Sequence, residues 1–270
     1  MNRGMILKAV REIWLTTLLF GLALLIVEAV LAYALPTFLD EFATQFLQLQ
    51  FFQTILRALL GTDVGNVIGP ETFQSIAWVH PAVLTIVWAH GVIGCTRVPA
   101  GEIDRGTIDV LFGLPVSRWG LYLGETSVWL GSGVLVIAMG IAGNRIGGAL
   151  VCAEGPDLAR LLVVAANLYC LFLAVGGVAW LVSAVSDHRG RAIATVFGIV
   201  LASFLLSFLA QFWEPAQSIS FLSVLDYYHP IFILQGTSWG LGDMVVLVVF
   251  ASVLWFVGGL LFARRDICTV

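Results

Sequence analysis

Lysine is almost missing from this chain: Lys8 is the only one in 270 residues, and charged residues together make up 11%. That excludes a phosphate-cradling P-loop, whose G-x-x-x-x-G-K-[ST] pattern requires a lysine behind a glycine-rich loop. The polypeptide is therefore no ATPase of that kind, and any ATP and Mg it depends on must sit on another subunit. Cysteine is also sparse. Cys95, Cys152, Cys170 and Cys268 show no C-x-x-C spacing, so structural thiols are expected rather than a metal or disulfide framework. His80 and His90 lie about three helical turns apart, too far along an axis to share an ion, while His188 and His229 fall in loops. No metal site, no cofactor held by this chain and no nucleic-acid partner are expected. Internal repeats and low-complexity tracts are missing too.

What fills the chain is apolar. Sixty per cent of its residues are hydrophobic and the mean hydropathy is +0.99, more apolar surface than a soluble protein of this length has interior to hide. The expected class is an all-α polytopic membrane protein, a single transmembrane domain over residues 1–270. About 20 apolar residues cross a bilayer, and on that criterion six spans are expected, at 13–35, 76–96, 119–142, 158–185, 192–212 and 244–262. Ahead of the first, Ile6, Leu7, Val10, Ile13 and Trp14 share a stripe from which Lys8, Arg11 and Glu12 are absent. This predicts a basic amphipathic helix over 1–12, lying in the headgroups before the chain turns into the bilayer. Ala32-Tyr33-Ala34 resembles a signal-peptide cleavage site, but the apolar run 14–35 is longer than such a leader's core and reads as a span.

Six spans put alternate connections on opposite sides. Arg3, Lys8, Arg11, Arg97, Arg105, Arg118, Arg189, Arg191, Arg264 and Arg265 share one side; Arg57, Arg145 and Arg160 occupy the other. Ten against three is a positive-inside asymmetry that predicts cytoplasmic termini. The outer segment 36–75 is expected to carry a helix on or near the outer surface. The aromatic- and proline-rich segment 211–243 is expected to form short interfacial or re-entrant pieces.

Residues 101–118, GEIDRGTIDVLFGLPVSR, form the longest charged but still patterned stretch, on the same side as the termini. Read as one helix, Ile103, Thr107, Val110, Leu111 and Leu114 share a stripe, while Glu102, Arg105 and Asp109 point away. Pro115 stops the helix, and Arg118 stands where the next apolar run begins. The expectation is an amphipathic coupling helix between spans two and three, offering its polar side to a soluble partner.

The run Glu102-x-Asp104-Arg105-Gly106-Thr107-Ile108-Asp109-x-Leu111-x-x-Leu114-Pro115-Val116-Ser117-Arg118 resembles the signature of type-2 ABC permeases. It is most similar to the branch that includes the nitrous-oxide-reductase maturation permease. Glu125 departs from the pattern, since many relatives carry a basic residue after the glycine at the head of span three. The resemblance implies a permease subunit in a prokaryotic plasma membrane, working as a homodimer or a pair of similar chains. Each copy would engage a cytoplasmic ABC ATPase subunit through Glu102, Asp104, Arg105, Gly106, Thr107, Asp109, Leu114, Pro115 and Arg118. In that scheme Glu102, Arg105 and Asp109 touch the ATPase, and Arg118 anchors the helix end beside the headgroups. The family inference for direction is export. Few buried charges favour an apolar or amphipathic cargo over a hydrophilic ion.

Other residues carry paired readings. Glu28, in the outer half of span one, either lines a substrate path or pairs across the dimer, or else snorkels outward or holds a proton. Asn167 in span four bonds another helix or, less readily, cargo. Gly131, Gly133, Gly140, Gly143, Gly147 and Gly148 thin span three, and Gly176-Gly177 thin span four, permitting close packing or sliding. Glu125 lies within reach of Arg118 or Arg97. Two rival functions remain. One is an anchor or assembly subunit that passes ATP-driven motion to a periplasmic partner. The other is an intramembrane hydrolase built on Gly131-Ser132-Gly133, which lacks a histidine in any later span to serve as base.

Overall fold

With no water inside a bilayer to pair with backbone groups, long apolar segments must satisfy their own hydrogen bonds. Among the described residues of the computed structural model, which are 3–46, 54, 70–113, 115–151 and 156–266, every regular element is helical. In chain order these are α1 (Arg3–Phe46), α2 (Pro70–Val79), α3 (Pro81–Cys95), α4 (Ala100–Asp104), α5 (Ile108–Phe112), α6 (Arg118–Leu150), α7 (Leu158–Val185), α8 (Arg189–Ala210), α9 (Glu214–Gln217), α10 (Pro230–Leu234) and α11 (Leu241–Arg264). Two 3₁₀ turns, Ser220–Leu222 and Val224–Tyr227, join α9 to α10.

Five helices (α1, α6, α7, α8 and α11) are long and apolar enough to cross a membrane, and the α2–α3 pair, bent by 40°, meets the same criterion only when taken together, as a broken sixth span or a re-entrant loop. The bend falls at His80, whose ring nitrogen accepts from Ala82 N at 3.2 Å, and Pro81 opens α3 at the position where a missing N–H costs nothing. The protein is thus an all-α polytopic membrane protein. α7 lies at its centre: 72% of its most apolar window is buried, against 28% for α11 and 17% for α8.

The expected turn between a headgroup helix over 1–12 and span one is absent, because α1 runs unbroken from Arg3 to Phe46. Nothing near Glu12 breaks a helix, and even Pro36 is accommodated inside α1. The inward stripe is also rotated from the one expected. Met5, Ala9, Ile13, Thr17, Leu24, Glu28 and Ala32 are buried, while Leu7, Val10 and Trp14 face outward.

That stripe meets α6 along glycines. A Cβ built on Gly143 or Gly147 would lie 2.1 Å from the carbonyl oxygen of Leu25 or Ala29, so the two backbones touch. Gly176 similarly admits Trp129, and Gly177 the backbone of α11 at Ala251. Gly131 and Gly148, grouped with these on sequence grounds, face open space. The short pieces expected over 211–243 are α9, the 3₁₀ turns and α10. Of the segment 36–75, residues 36–46 continue α1 and 70–75 begin α2; apart from Thr54, the stretch between lies outside the described residues.

Candidate functional site

α4 and α5 lie at the end of the bundle where α1 begins and α11 ends. After α3, Thr96 turns the chain: its hydroxyl donates to Val92 O at 2.7 Å, and its carbonyl accepts from Gly101 N at 3.0 Å. Ala100 N then bonds Ser183 Oγ of α7 at 3.3 Å. Gly101 is confined, since a Cβ there would lie 3.1 Å from Arg189 Cδ and 3.2 Å from Thr96 O.

The single amphipathic helix expected over 101–118 is instead two short helices separated by Gly106, whose φ of 68° ends α4 in a left-handed turn that glycine adopts without penalty. The break changes which side chains face inward. Ile108 and Leu111 are buried, whereas Val110, expected on the apolar stripe, is 71% exposed. Thr107 is spent on hydrogen bonds rather than packing, its N–H donating to Glu102 O at 2.9 Å. Leu114 lies outside the described residues. Pro115 is exposed between α5 and α6, and Ser117 Oγ caps α6 by accepting from Gly120 N at 3.0 Å.

Glu102 is the main correction. Expected to point outward, it is only 5% exposed and accepts from Lys8 Nζ at 3.4 Å, Arg105 Nη2 at 3.1 Å and the Thr107 hydroxyl. Burial pushes its carboxyl upward, but the Thr107 hydrogen bond and the charges of Lys8 and Arg105 together win and hold it below the ordinary value. Asp104 is exposed and joins α4 to the start of α8, accepting from His188 Nδ1 at 2.8 Å and Arg189 N at 3.3 Å. The His188 hydrogen bond is the main cause of its lowered pKa. Arg105, Gly106, Asp109 and Val110 form the exposed tip.

Arg118 holds the far end of this segment. It donates from Nη1 to the last carbonyls of α11, those of Phe262 and Ala263 at 3.4 Å each and that of Arg265. Its guanidinium lies 4.6 Å from the Phe112 ring centroid. A cation on orphan C-terminal carbonyls is favoured by the helix dipole, and this one fastens α5, α6 and α11 together.

Beneath the tip, Arg97 lies between the carboxylates of Glu12 and Glu125, and Lys8 Nζ holds Glu12 at 2.9 Å. The expected reach of Glu125 to Arg97 is realised. Arg265 pairs with Asp187 and donates to Ala184 O and Ser186 O at 3.0 and 3.1 Å. Charged side chains thereby link the tip to α1, α3, α6, α7, α8 and α11. Sequence reasoning missed the parts played by Lys8, Glu12 and His188, because partners 84 to 94 positions away, as in the His188–Asp104 and Lys8–Glu102 pairs, leave no local signal.

Two polar residues placed on a possible cargo path are interior ties. Glu28 Oε2 accepts from Asn144 Nδ2 at 2.9 Å. Asn167 Nδ2 donates to Tyr227 O at 3.2 Å, in the 3₁₀ turn Val224–Tyr227 rather than another long helix. The missing partner of Ser132 does exist, in an earlier span: His90 Nε2 lies 3.0 Å from Ser132 Oγ. Ser132 Oγ is also 2.8 Å from Trp129 O, an acceptor for its proton, and among the described residues no hydrogen bond is made by the other His90 nitrogen, Nδ1, so no third group orients the ring as a base. Phe20 and Phe172 cover the imidazole. Among the described residues no group of three or more His, Cys, Asp or Glu is arranged to hold a metal ion.

Residues 7–267 match the family model described as ABC-2 family transporter protein. None of the curated proteins compared matches the chain. With the match covering nearly its whole length and the spans in place, the chain belongs to the ABC-2 transporter family and is a membrane-spanning permease subunit.

Proposed function

We propose that this ABC-2 permease receives the motion of a separate cytoplasmic ABC ATPase, which binds the ATP and Mg, through the tip formed by Arg105, Gly106, Asp109 and Val110. Two such permeases, most simply two copies of this chain, would form the transporter. Both termini and the tip would lie in the cytoplasm of a prokaryotic cell, as the basic residues gathered at that end suggest.

One observation carries this reading: an exposed charged tip rests on ion pairs and hydrogen bonds, some buried and some exposed, that tie it to α1, to the start of α8 and, through Arg97 and Arg118, to α6 and α11. Glu102 and Thr107 would act inside the tip, holding it to α1. Asp104 would hold it to α8, and Arg118 to α11. A push on the tip then moves the spans, because these contacts tie it directly to them. The cargo would be apolar or amphipathic, since the described interior offers isolated polar ties rather than a continuous hydrophilic lining.

The test is a mild-detergent pull-down of the tagged chain from its native membrane, with an ATPase assay on the eluate. An ABC ATPase should co-purify at near-equal stoichiometry. Arg105→Ala with Asp109→Ala should lower the associated ATPase activity while membrane insertion stays intact. A chain that purifies alone, without ATPase activity, would contradict the proposal.

A further inference from the structure

Glu28 plays no part in the coupling scheme, yet it is the most completely enclosed carboxyl in the described structure, with 0% exposure. Its surroundings are specific. Asn144 of α6 spends one amide proton on Glu28 Oε2 and the other on Gln74 Oε1 of α2, each at 2.9 Å. The second Glu28 oxygen, Oε1, is buried and has no hydrogen-bond partner. Among the described residues, the titratable group that interacts with it is the Tyr228 phenol, whose hydroxyl already donates to Trp78 O at 3.1 Å. Among the described residues no cation pairs with Glu28.

A carboxylate at this depth with a single neutral donor is unfavourable by several kcal/mol, whereas the neutral acid costs less, leaving one buried O–H at Oε1 without an acceptor. The packing also limits what can bind. The Gly143–Leu25 and Gly147–Ala29 backbone contacts, the closest of the α1–α6 seam, lie within one turn on either side of the Glu28–Asn144 bond. Oε1 is buried, and among the described residues little room is left beside it for a metal ion, a water molecule or an organic cation. A proton is the one ligand that needs none.

We propose that Glu28 is a proton-binding site of the membrane bundle, which exchanges its proton with water only when the α1–α6 seam parts. With the seam closed the side chain is a carboxylic acid. With the seam open it can ionise, the proton passing to the water that enters. Seam opening is thereby linked to release of one proton per chain, and alkaline conditions favour the open form. This stands on the packing around Glu28 and not on the docking of an ATPase.

The test is infrared spectroscopy of the full chain reconstituted in lipid at neutral pH. The wild type should show the carbonyl stretch of a neutral acid, and Glu28→Gln, of nearly equal shape, should lose that band. Asn144→Ala, which removes the donor on Oε2, should move the same band to higher frequency, so the assignment does not depend on one variant. In D2O the band should exchange slowly, and Gly143→Ala, which wedges the seam, should speed exchange on the order of tenfold. A wild type without the band, a band untouched by Glu28→Gln or Asn144→Ala, or an exchange rate indifferent to Gly143→Ala would overturn the proposal.

Discussion

Arg97 is held between Glu12 of α1 and Glu125 of α6, and its value lies in what would follow from its loss. Removing the cation leaves Glu125, 5% exposed, without its counter-charge, which for a buried pair costs about 3–5 kcal/mol. Arg97→Ala should therefore lower the midpoint of thermal unfolding in detergent markedly, and adding Glu125→Gln should recover much of the loss. If the double variant melts no higher than the single one, the pair is not the source of the stability. Glu102 adds a pH signature. Its folded pKa lies below its ordinary 4.5, so the clamp on α4 is complete above that value and weakens as pH falls through the lowered one. A nitroxide on Val110→Cys should report a tip that becomes mobile in acid, and one already mobile at neutral pH when Glu102→Gln is present.

Among the elements, glycine positions divide into those that packing requires and those that it does not. A Cβ on Gly177 would lie 2.8 Å from Ala251 O in the α11 backbone, whereas one on Gly131 would meet nothing within 4 Å. Gly177→Ala should therefore cost about 1–3 kcal/mol through forced separation of α7 and α11, and Gly131→Ala should leave the melting midpoint unchanged. Gly106 is required for a different reason. Its Cβ would meet open space, but its φ is 68°, so Gly106→Ala should cost about 1 kcal/mol. That cost should appear as faster amide exchange in α4 and α5 rather than as a loss of the spans.

These elements also mark what was legible in the sequence. The long apolar helices were readable because lipid imposes a length and a composition on each. The aromatic- and proline-rich connection read as short pieces because those residues interrupt regular helix. The interruption at Gly106 was less legible, since a helical stripe can be drawn through residues 103–114 whether or not one glycine ends the helix. The continuity of α1 was missed because a basic amphipathic start suits a headgroup helix equally well; only the partners Arg97 and Glu102 show that its polar face is used inside the protein. The inward turn of Glu102 was hidden for the same reason, as a carboxylate on a surface motif reads as exposed until its cations are located.

For the whole molecule, the family match over residues 7–267 and the helical bundle make the chain a permease subunit. The coupling proposal adds a direction of force, from an ATPase onto the tip and then through ion pairs into the spans. That scheme separates contact residues from transmission residues. Arg105→Ala with Asp109→Ala should weaken ATPase binding itself. Glu102→Ala should leave binding largely intact while reducing the ATPase stimulation that binding produces, measured by co-purification and turnover on the same preparation.

The most direct measurement is site-directed cross-linking between the tip and the co-expressed ATPase in native membranes. A photoreactive residue at Val110, 71% exposed, should capture the ATPase, and the same probe at Ile108, fully buried against the bundle two positions earlier, should capture only this chain. Capture at neither Val110 nor Arg105, with the ATPase present in the membrane, would contradict the coupling role assigned to the tip.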